Sequence, residues 1–208
     1  MQMRPAIDKT LLTLALTLPL AAPVSAAGLL DAQLSYSATR TVNVDGKPYS
    51  GPIYHEPGRE RHQQQLMGMD AYFILDDQAN QALLVLPGIK TYVVSPFPPL
   101  LSTILEGDLT KTPVGDDTVD HIPVTKYRVD KTASDGTHGE GFAWISKRGV
   151  LMKLLGTITA PGGHKNKIDM QLSNVKEGPQ KPELFAVPPG MSQLPVEAVA
   201  PLLGGILR

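Results

Sequence analysis

The chain has 208 residues, a formal net charge of −1 and no cysteine, so disulfides are excluded and core burial must stabilise the fold. The near-neutral charge, without a basic block, argues against nucleic acid as a partner. Nineteen glycines and nineteen prolines, with short runs of β-branched residues, predict many strands and turns rather than long helices.

The N-terminal segment has the pattern of a secretory signal peptide. Two basic residues precede an apolar run, Thr10 to Leu20, which is too short to cross a bilayer, and small residues end at Ala26. We expect a leader over 1–26, cleaved after Ala26 or Ala27, and one exported domain over 27–208 in the periplasm. An uncleaved membrane anchor is the alternative, which the prolines of the leader disfavour.

Hydrophobic alternation and turn residues predict eleven strands in the mature chain. Asp45-Gly46 is the strongest hairpin signal, and tight turns between successive strands predict antiparallel pairing without crossover helices. The predicted strands are 32–44, 47–55, 59–66, 69–75, 81–86, 90–95, 109–114, 122–130, 141–146, 150–159 and 165–175.

A single sheet of so many strands must curl, because strand twist limits how far an open sheet extends. We therefore predict an all-β or β-rich domain whose concave face needs an apolar cover. Two segments are candidates for that cover: Pro96 to Leu105, with a short helix over 100–105, and the apolar tail Leu194 to Leu207.

The five histidines show no histidine pair at the spacing of a metal site, so we expect solvated side chains at strand ends or turns. A minor alternative is copper, because His55, His62, Met67 and Met69 lie across adjacent predicted strands and combine imidazole with thioether. Methionines at such positions more often pack in a core. We expect no metal site and no cofactor.

No enzyme motif is present. Ser95 and Ser146 lack the Gly-x-Ser-x-Gly pattern of a nucleophile elbow, and no phosphate-binding loop occurs. The paired aspartates Asp76-Asp77 and Asp116-Asp117 lie in polar turns, where such residues usually bind their own backbone. We therefore expect a protein without catalytic activity.

Large apolar side chains recur at alternate positions of the predicted strands and would line one face of the curled sheet. They form either a filled core or the wall of a ligand cavity. The expected lining residues are Leu34, Tyr36, Tyr72, Ile74, Leu84, Leu86, Tyr92, Val94, Phe142, Trp144, Leu154 and Ile158.

Three segments in order, Gly51-Pro-Ile-Tyr-His-Glu-Pro57, Tyr72-Phe-Ile-Leu-Asp-Asp77 and Lys90-Thr-Tyr-Val-Val-Ser-Pro96, resemble strands of the LolA superfamily. Later segments, including Ala143-Trp-Ile-Ser146 and Leu184-Phe-Ala-Val-Pro-Pro-Gly190, resemble related exported domains of unknown function. The resemblance implies a curled antiparallel half-barrel of about eleven strands, with short helices covering the apolar concave face.

One position departs from the resemblance. Glu56 precedes Pro57, where the lipoprotein carriers of that family have a functional arginine. A carboxylate cannot replace a guanidinium, so we expect the fold without the lipoprotein-sorting role. Glu56 is then either a residue of the cavity rim that disfavours anionic head groups or a solvated glutamate at a strand end.

Two functions follow from these patterns. The first is a monomeric, non-catalytic periplasmic carrier or sensor that binds a lipid or another hydrophobic small molecule. The second is a module with a filled core that binds another envelope protein through its open sheet edge or its apolar tail.

Overall fold

A computed structural model describes residues 32–66, 68–77, 79–96, 110–133 and 135–198. The predicted leader, Met67, the helix predicted over 100–105 and the tail from residue 199 lie outside these ranges. Twelve strands form one sheet. They are β1 (Tyr36–Val44), β2 (Lys47–Glu56), β3 (Arg59–Leu66), β4 (Met69–Asp76), β5 (Gln81–Leu86), β6 (Thr91–Pro96), β7 (Thr110–Val119), β8 (Ile122–Thr132), β9 (His138–Ser146), β10 (Leu151–Thr159), β11 (Lys165–Glu177) and β12 (Ser192–Leu194).

The sheet joins two antiparallel meanders. One runs from β1 to β6 and the other from β7 to β11, and β1 pairs with β11 between them. The short β12 adds to β6 in parallel, so β7 and β12 are the two edges of an unclosed sheet. The predicted curled, β-rich architecture is confirmed, with one strand more than the eleven expected. Within the described residues, no helix is long and apolar enough to span a membrane.

The expected hairpin turns set the register of the first meander. Asp45 and Gly46 have φ angles of 50° and 84°, the left-handed values that a two-residue turn between antiparallel strands requires. Asp116 and Asp117, expected in a turn, instead continue β7 beyond an irregularity after Pro113, because β8 offers them cross-strand partners. This extends β7 to ten residues.

Strand register divides the side chains between two faces, because residues directly opposite each other in a ladder point to the same side. The Ile53 face is defined by Tyr36, Ile53, Leu84 and Leu172, and the Tyr72 face by Tyr72, Ile74, Val85, Phe142 and Trp144. These two names are kept below.

Three glycines show the direction in which the sheet bends. A Cβ at Gly51 would lie 1.9 Å from the carbonyl oxygen of Gln63, and one at Gly141 would lie 2.1 Å from that of Leu155. A Cβ at Gly156, opposite Gly141, would lie 2.8 Å from the carbonyl oxygen of Glu140 in β9. All three positions belong to the Ile53 face, so neighbouring backbone bends over this face, as glycine kinks permit.

Both faces bury apolar side chains. The largest cluster includes Tyr36, Ile53 and Leu172 of the Ile53 face. It also includes Trp144 of the Tyr72 face, which lies beside an irregularity in the pairing of β9 with β10. A second cluster of the Ile53 face, with Leu66, Ala71, Leu84, Leu86 and Val93 as its buried residues, packs against Leu194 and Val196. On the Tyr72 face, Tyr72, Ile74 and Val85 pack under Phe185 and Met191, which belong to the segment that starts with the 3-10 helix Pro182–Phe185.

Candidate functional site

The side chains expected to line one face are divided between two. Apolar side chains do alternate along individual strands. However, β4 and β5 bury apolar side chains on both sides, so alternation alone does not show which apolar positions of neighbouring strands share a face. Tyr36, Leu84, Leu86, Leu154 and Ile158 lie on the Ile53 face, with Leu34 packed beside them; Tyr72, Ile74, Tyr92, Val94, Phe142 and Trp144 lie on the Tyr72 face.

The Ile53 face is a long apolar surface that is covered unevenly. Ala32 and Leu34 are buried at one end, and Val196 packs on the second cluster. On the other side of β1 from the second cluster, Leu154 and Met170 face each other across β10 and β11 and are only half-buried. Exposed methylene surface of this kind is what an acyl chain can bury.

A polar seam interrupts this apolar face between its two clusters. It consists of Arg40, His55, Glu60 and His62, of which His55 and Glu60 face each other across β2 and β3. Arg40 Nη1 donates to Glu60 Oε1 at 2.9 Å, and the side chains of Arg40 and Glu60 are 20% and 3% exposed. The seam is therefore a buried ion pair flanked by two imidazoles.

The two histidines of the seam differ from the solvated side chains expected. His55 is 1% exposed, stacks on Tyr36, and its Nε2 hydrogen-bonds the carbonyl of Ala32 at 3.0 Å. His62 stacks on Phe73, and its Nδ1 lies 3.8 Å from Glu60 Oε1. Both rings point to the Ile53 face, where other side chains cover them. The sequence around each histidine does not indicate its contact with Tyr36 or Phe73.

Burial controls the protonation of Tyr36 and His62 in this region. Desolvation, reinforced by the charge of Glu60, raises the pKa of Tyr36 far above its usual value. Desolvation, reinforced by the positive charge of Arg40, holds the pKa of His62 well below its usual value of 6.5. His62 is therefore neutral at neutral pH.

Acid should destabilise the fold through His62. Below about pH 6.5 the His62 imidazole is protonated in the unfolded state but stays neutral in the folded state. The free energy of unfolding therefore falls as the pH decreases, by up to about 1.4 kcal/mol per pH unit. Urea unfolding measures the loss of stability between pH 7.5 and pH 5.5. This loss should be smaller for His62→Gln than for the parent protein, and it should be the same for the parent and for His164→Gln, which changes an exposed histidine. Equal losses in all three proteins would refute this role for His62.

The copper alternative, with His55, His62, Met67 and Met69 as ligands, stays a prediction. In the described ranges, the cluster of three metal-ligating groups within 4.8 Å of one another is Asp130, His138 and Glu140, which contains neither His55 nor His62. Met67 lies outside the described residues, so the full set expected for copper is not described. Glu140 and Asp130 are exposed cross-strand neighbours, and His138 Nδ1 is also 3.1 Å from Thr132 Oγ1.

The Tyr72 face carries a separate groove of about 680 Å³. Phe142 and Leu155 contribute its apolar side chains, and charged residues surround them: Asp45, Arg128, Asp130, Glu140, Lys167 and Asp169. Beside it, Lys126 Nζ lies 4.4 Å from the ring centre of Phe142 and 4.9 Å from that of Trp144. Carboxylates outnumber cations in the lining, so this groove is poorly suited to an anionic amphiphile.

Asp117 fixes the Trp144 ring at the edge of that groove. Trp144 Nε1 donates to Asp117 Oδ2 at 2.7 Å. The backbone N–H of Thr118 and the indole N–H of Trp144 both hold the pKa of Asp117 below its usual value. The buried Trp144 ring is therefore held in one orientation by this hydrogen bond.

Glu56 is bound within the protein. Its carboxylate accepts hydrogen bonds from the Ser35 hydroxyl and from the backbone N–H of Gln180, connecting the segment before β1 to the segment after β11. The Ser35 hydrogen bond, followed by that of Gln180, lowers the pKa of Glu56. The half-buried side chain thus has a structural function at the end of β2, whichever of the two expected roles it also has.

Comparison with known proteins identifies the fold. No protein-family model and no curated protein sequence matches the chain. An uncharacterized conserved protein from Thermus thermophilus superposes with a TM-score of 0.52 at 11% identity, over 80% of this chain and 96% of that one. MucB superposes with the same TM-score at 15% identity, over 79% of this chain and 61% of MucB, so this chain spans about three fifths of that protein.

A LolA superfamily protein from Nitrosomonas europaea is also similar, at 10% identity and a TM-score of 0.43, over 76% of this chain and 96% of that one. Identities this low concern the fold alone. The Thermus thermophilus protein and MucB show that the predicted curled, β-rich fold occurs in known structures.

Proposed function

We propose that the protein is an exported, non-catalytic carrier or sensor that binds a lipid or another hydrophobic ligand along the Ile53 face. The observation that carries this proposal is the half-buried apolar surface of Leu154 and Met170 on the face over which the sheet bends. Each buried CH₂ group contributes about 0.8 kcal/mol, so a single acyl chain can bind by burial alone.

Leu154 and Leu155 test which face binds. Both are half-buried neighbours in β10, but Leu154 points to the Ile53 face and Leu155 to the groove of the Tyr72 face. Leu154→Gln should weaken binding of a fluorescent fatty acid by about tenfold or more, because a polar side chain would then contact the chain. Leu155→Gln should leave the affinity within about threefold.

If Leu155→Gln weakened binding and Leu154→Gln did not, the ligand would bind on the Tyr72 face, beside Phe142 and Trp144. Thermal unfolding of both variants provides the control, because an unfolded variant would lose binding for an unrelated reason. The proposal also predicts that removing the ligand leaves the sheet folded, since both faces retain apolar clusters of their own.

A second function, binding of another envelope protein, is favoured by one observation. The edge strand β7 is ten residues long, is exposed along most of its length, and presents Val114 at 55% exposure. Such an edge can pair with a strand of another chain. Pro113 and the irregularity beside it limit the length of edge that is available for this pairing.

Deletion of the tail separates the two functions. Leu194 and Val196 pack against the second apolar cluster, so deleting 195–208 should lower the free energy of unfolding by about 1 kcal/mol through the loss of Val196. Denaturant unfolding measures this directly. Unchanged stability, together with loss of a co-purifying envelope protein, would support the interaction module instead.

A further inference from the structure

We propose that the polar seam of Arg40, His55, Glu60 and His62 binds the uncharged, hydroxyl-bearing head group of a single-chain amphiphile such as a monoacylglycerol. This inference rests on the proposed function and specifies its ligand class. It follows from the position of the seam, its hydrogen-bonding atoms, its charge and its accessibility.

The position of the seam requires a ligand with a polar part. The seam lies between the cluster that contains Ile53 and Leu172 and the cluster that contains Leu84 and Val93, all on one face. A chain that lies along this face contacts the seam. A wholly apolar ligand would therefore cover polar atoms without replacing their hydrogen bonds, which is unfavourable.

The seam holds two buried imidazole nitrogens without a hydrogen-bond partner, and one of them is an acceptor that needs a donor. The Nδ1 atoms of His55 and His62 are buried and have no hydrogen-bond partner among the described residues. His55 Nε2 donates to the Ala32 carbonyl, so Nδ1 of that ring is left as an acceptor. A hydroxyl group can donate to such an atom, whereas an ionised carboxylate cannot.

The charge of the seam disfavours ionic head groups of either sign. Arg40 and Glu60 are joined at 2.9 Å and together carry no net charge, and the His62 ring beside them is neutral. Glu60 would repel an anion and Arg40 a cation, in a region of low dielectric where such repulsion is strong. A hydroxyl-bearing group avoids both penalties.

The seam reaches the surface at one side. The side chains of Arg40 and His62 are 20% and 14% exposed, whereas Glu60 is 3% exposed and His55 is 1% exposed. A ligand would therefore contact Arg40 and His62 first. Glu60 would hold Arg40 in place from behind through the ion pair. The buried Nδ1 of His55 would accept from the hydroxyl group of the ligand.

Three probes with one common chain test the inference: monolauroylglycerol, laurate and dodecyltrimethylammonium, each titrated against a bound fluorescent fatty acid. We expect the glycerol ester to bind at least about tenfold more tightly than either charged probe. Equal affinities of the three probes would overturn the inference and leave the proposed function standing. Displacement by none of them would contradict the proposed function itself.

Variants of β3 locate the preference. His62→Phe keeps an aromatic ring against Phe73 but removes the hydrogen-bonding atoms, and it should reduce the preference to under about threefold. Gln63→Leu, on the opposite face of the same strand, should keep the full preference. Glu60→Gln should narrow the gap between laurate and the glycerol ester by removing the negative charge.

A full preference that persists in both His62→Phe and Glu60→Gln would overturn the inference. Should one of these two variants fail to fold, as judged by circular dichroism, the other still gives the answer.

Discussion

Replacing Gly141 with alanine will lower the free energy of unfolding by about 3 kcal/mol, which corresponds to a decrease in Tm of roughly 6–12 °C. The new Cβ would lie 2.1 Å from the carbonyl oxygen of Leu155 and 2.6 Å from Cα of Gly156. Both are backbone atoms, which cannot rotate away as a side chain can. The strands β9 and β10 would have to separate where the sheet bends.

Gly139 is the matched control for this substitution. It lies two residues earlier on the same face of β9, and a Cβ there would meet nothing within 4 Å. Gly139→Ala should change the stability by no more than about 0.5 kcal/mol. Thermal and urea unfolding of both variants decide the matter, and equal stability of the two would show that close backbone approach does not create the bend.

Replacing Arg40 with methionine will cost about 3–5 kcal/mol, because the Glu60 carboxylate, 3% exposed, then remains buried without its ionic partner. The double variant Arg40→Met/Glu60→Leu should recover most of this loss, since it removes the desolvated charge as well. Urea unfolding of the single and double variants measures the coupling between the two side chains.

A surface ion pair provides the comparison. Arg59 and Asp76 lie 3.8 Å apart with side chains 46% and 25% exposed, so Arg59→Met should cost no more than about 1 kcal/mol. If Arg40→Met is as mild as Arg59→Met, or if the double variant is no more stable than Arg40→Met, the buried ion pair is not a coupled unit.

Local sequence patterns predict most of the sheet. All eleven predicted strands exist, because tight turns such as Asp45-Gly46 fix register locally and alternation marks strand interiors. The strand β12 has no such signature: it is three residues long and pairs in parallel with a strand about one hundred residues earlier in the chain.

The candidate site was less predictable than the sheet. Tyr72 and Leu84 look equivalent in sequence, yet they point to opposite faces, because both sides of β4 and β5 are covered. Coverage of the second side depends on Phe185 and Met191, which follow the last long strand. The polar seam arises in the same way: His55 and Glu60 become neighbours only through the register of β2 and β3.

The most direct test of the central claim is native mass spectrometry of the protein purified from its expression host without detergent, followed by organic extraction of the same sample. We predict a bound species above the mass of the protein alone, and an extracted single-chain amphiphile that rebinds to the parent protein and not to Leu154→Gln. A mass equal to that of the protein alone, together with no displacement of a fluorescent fatty acid by any amphiphile, would contradict the account.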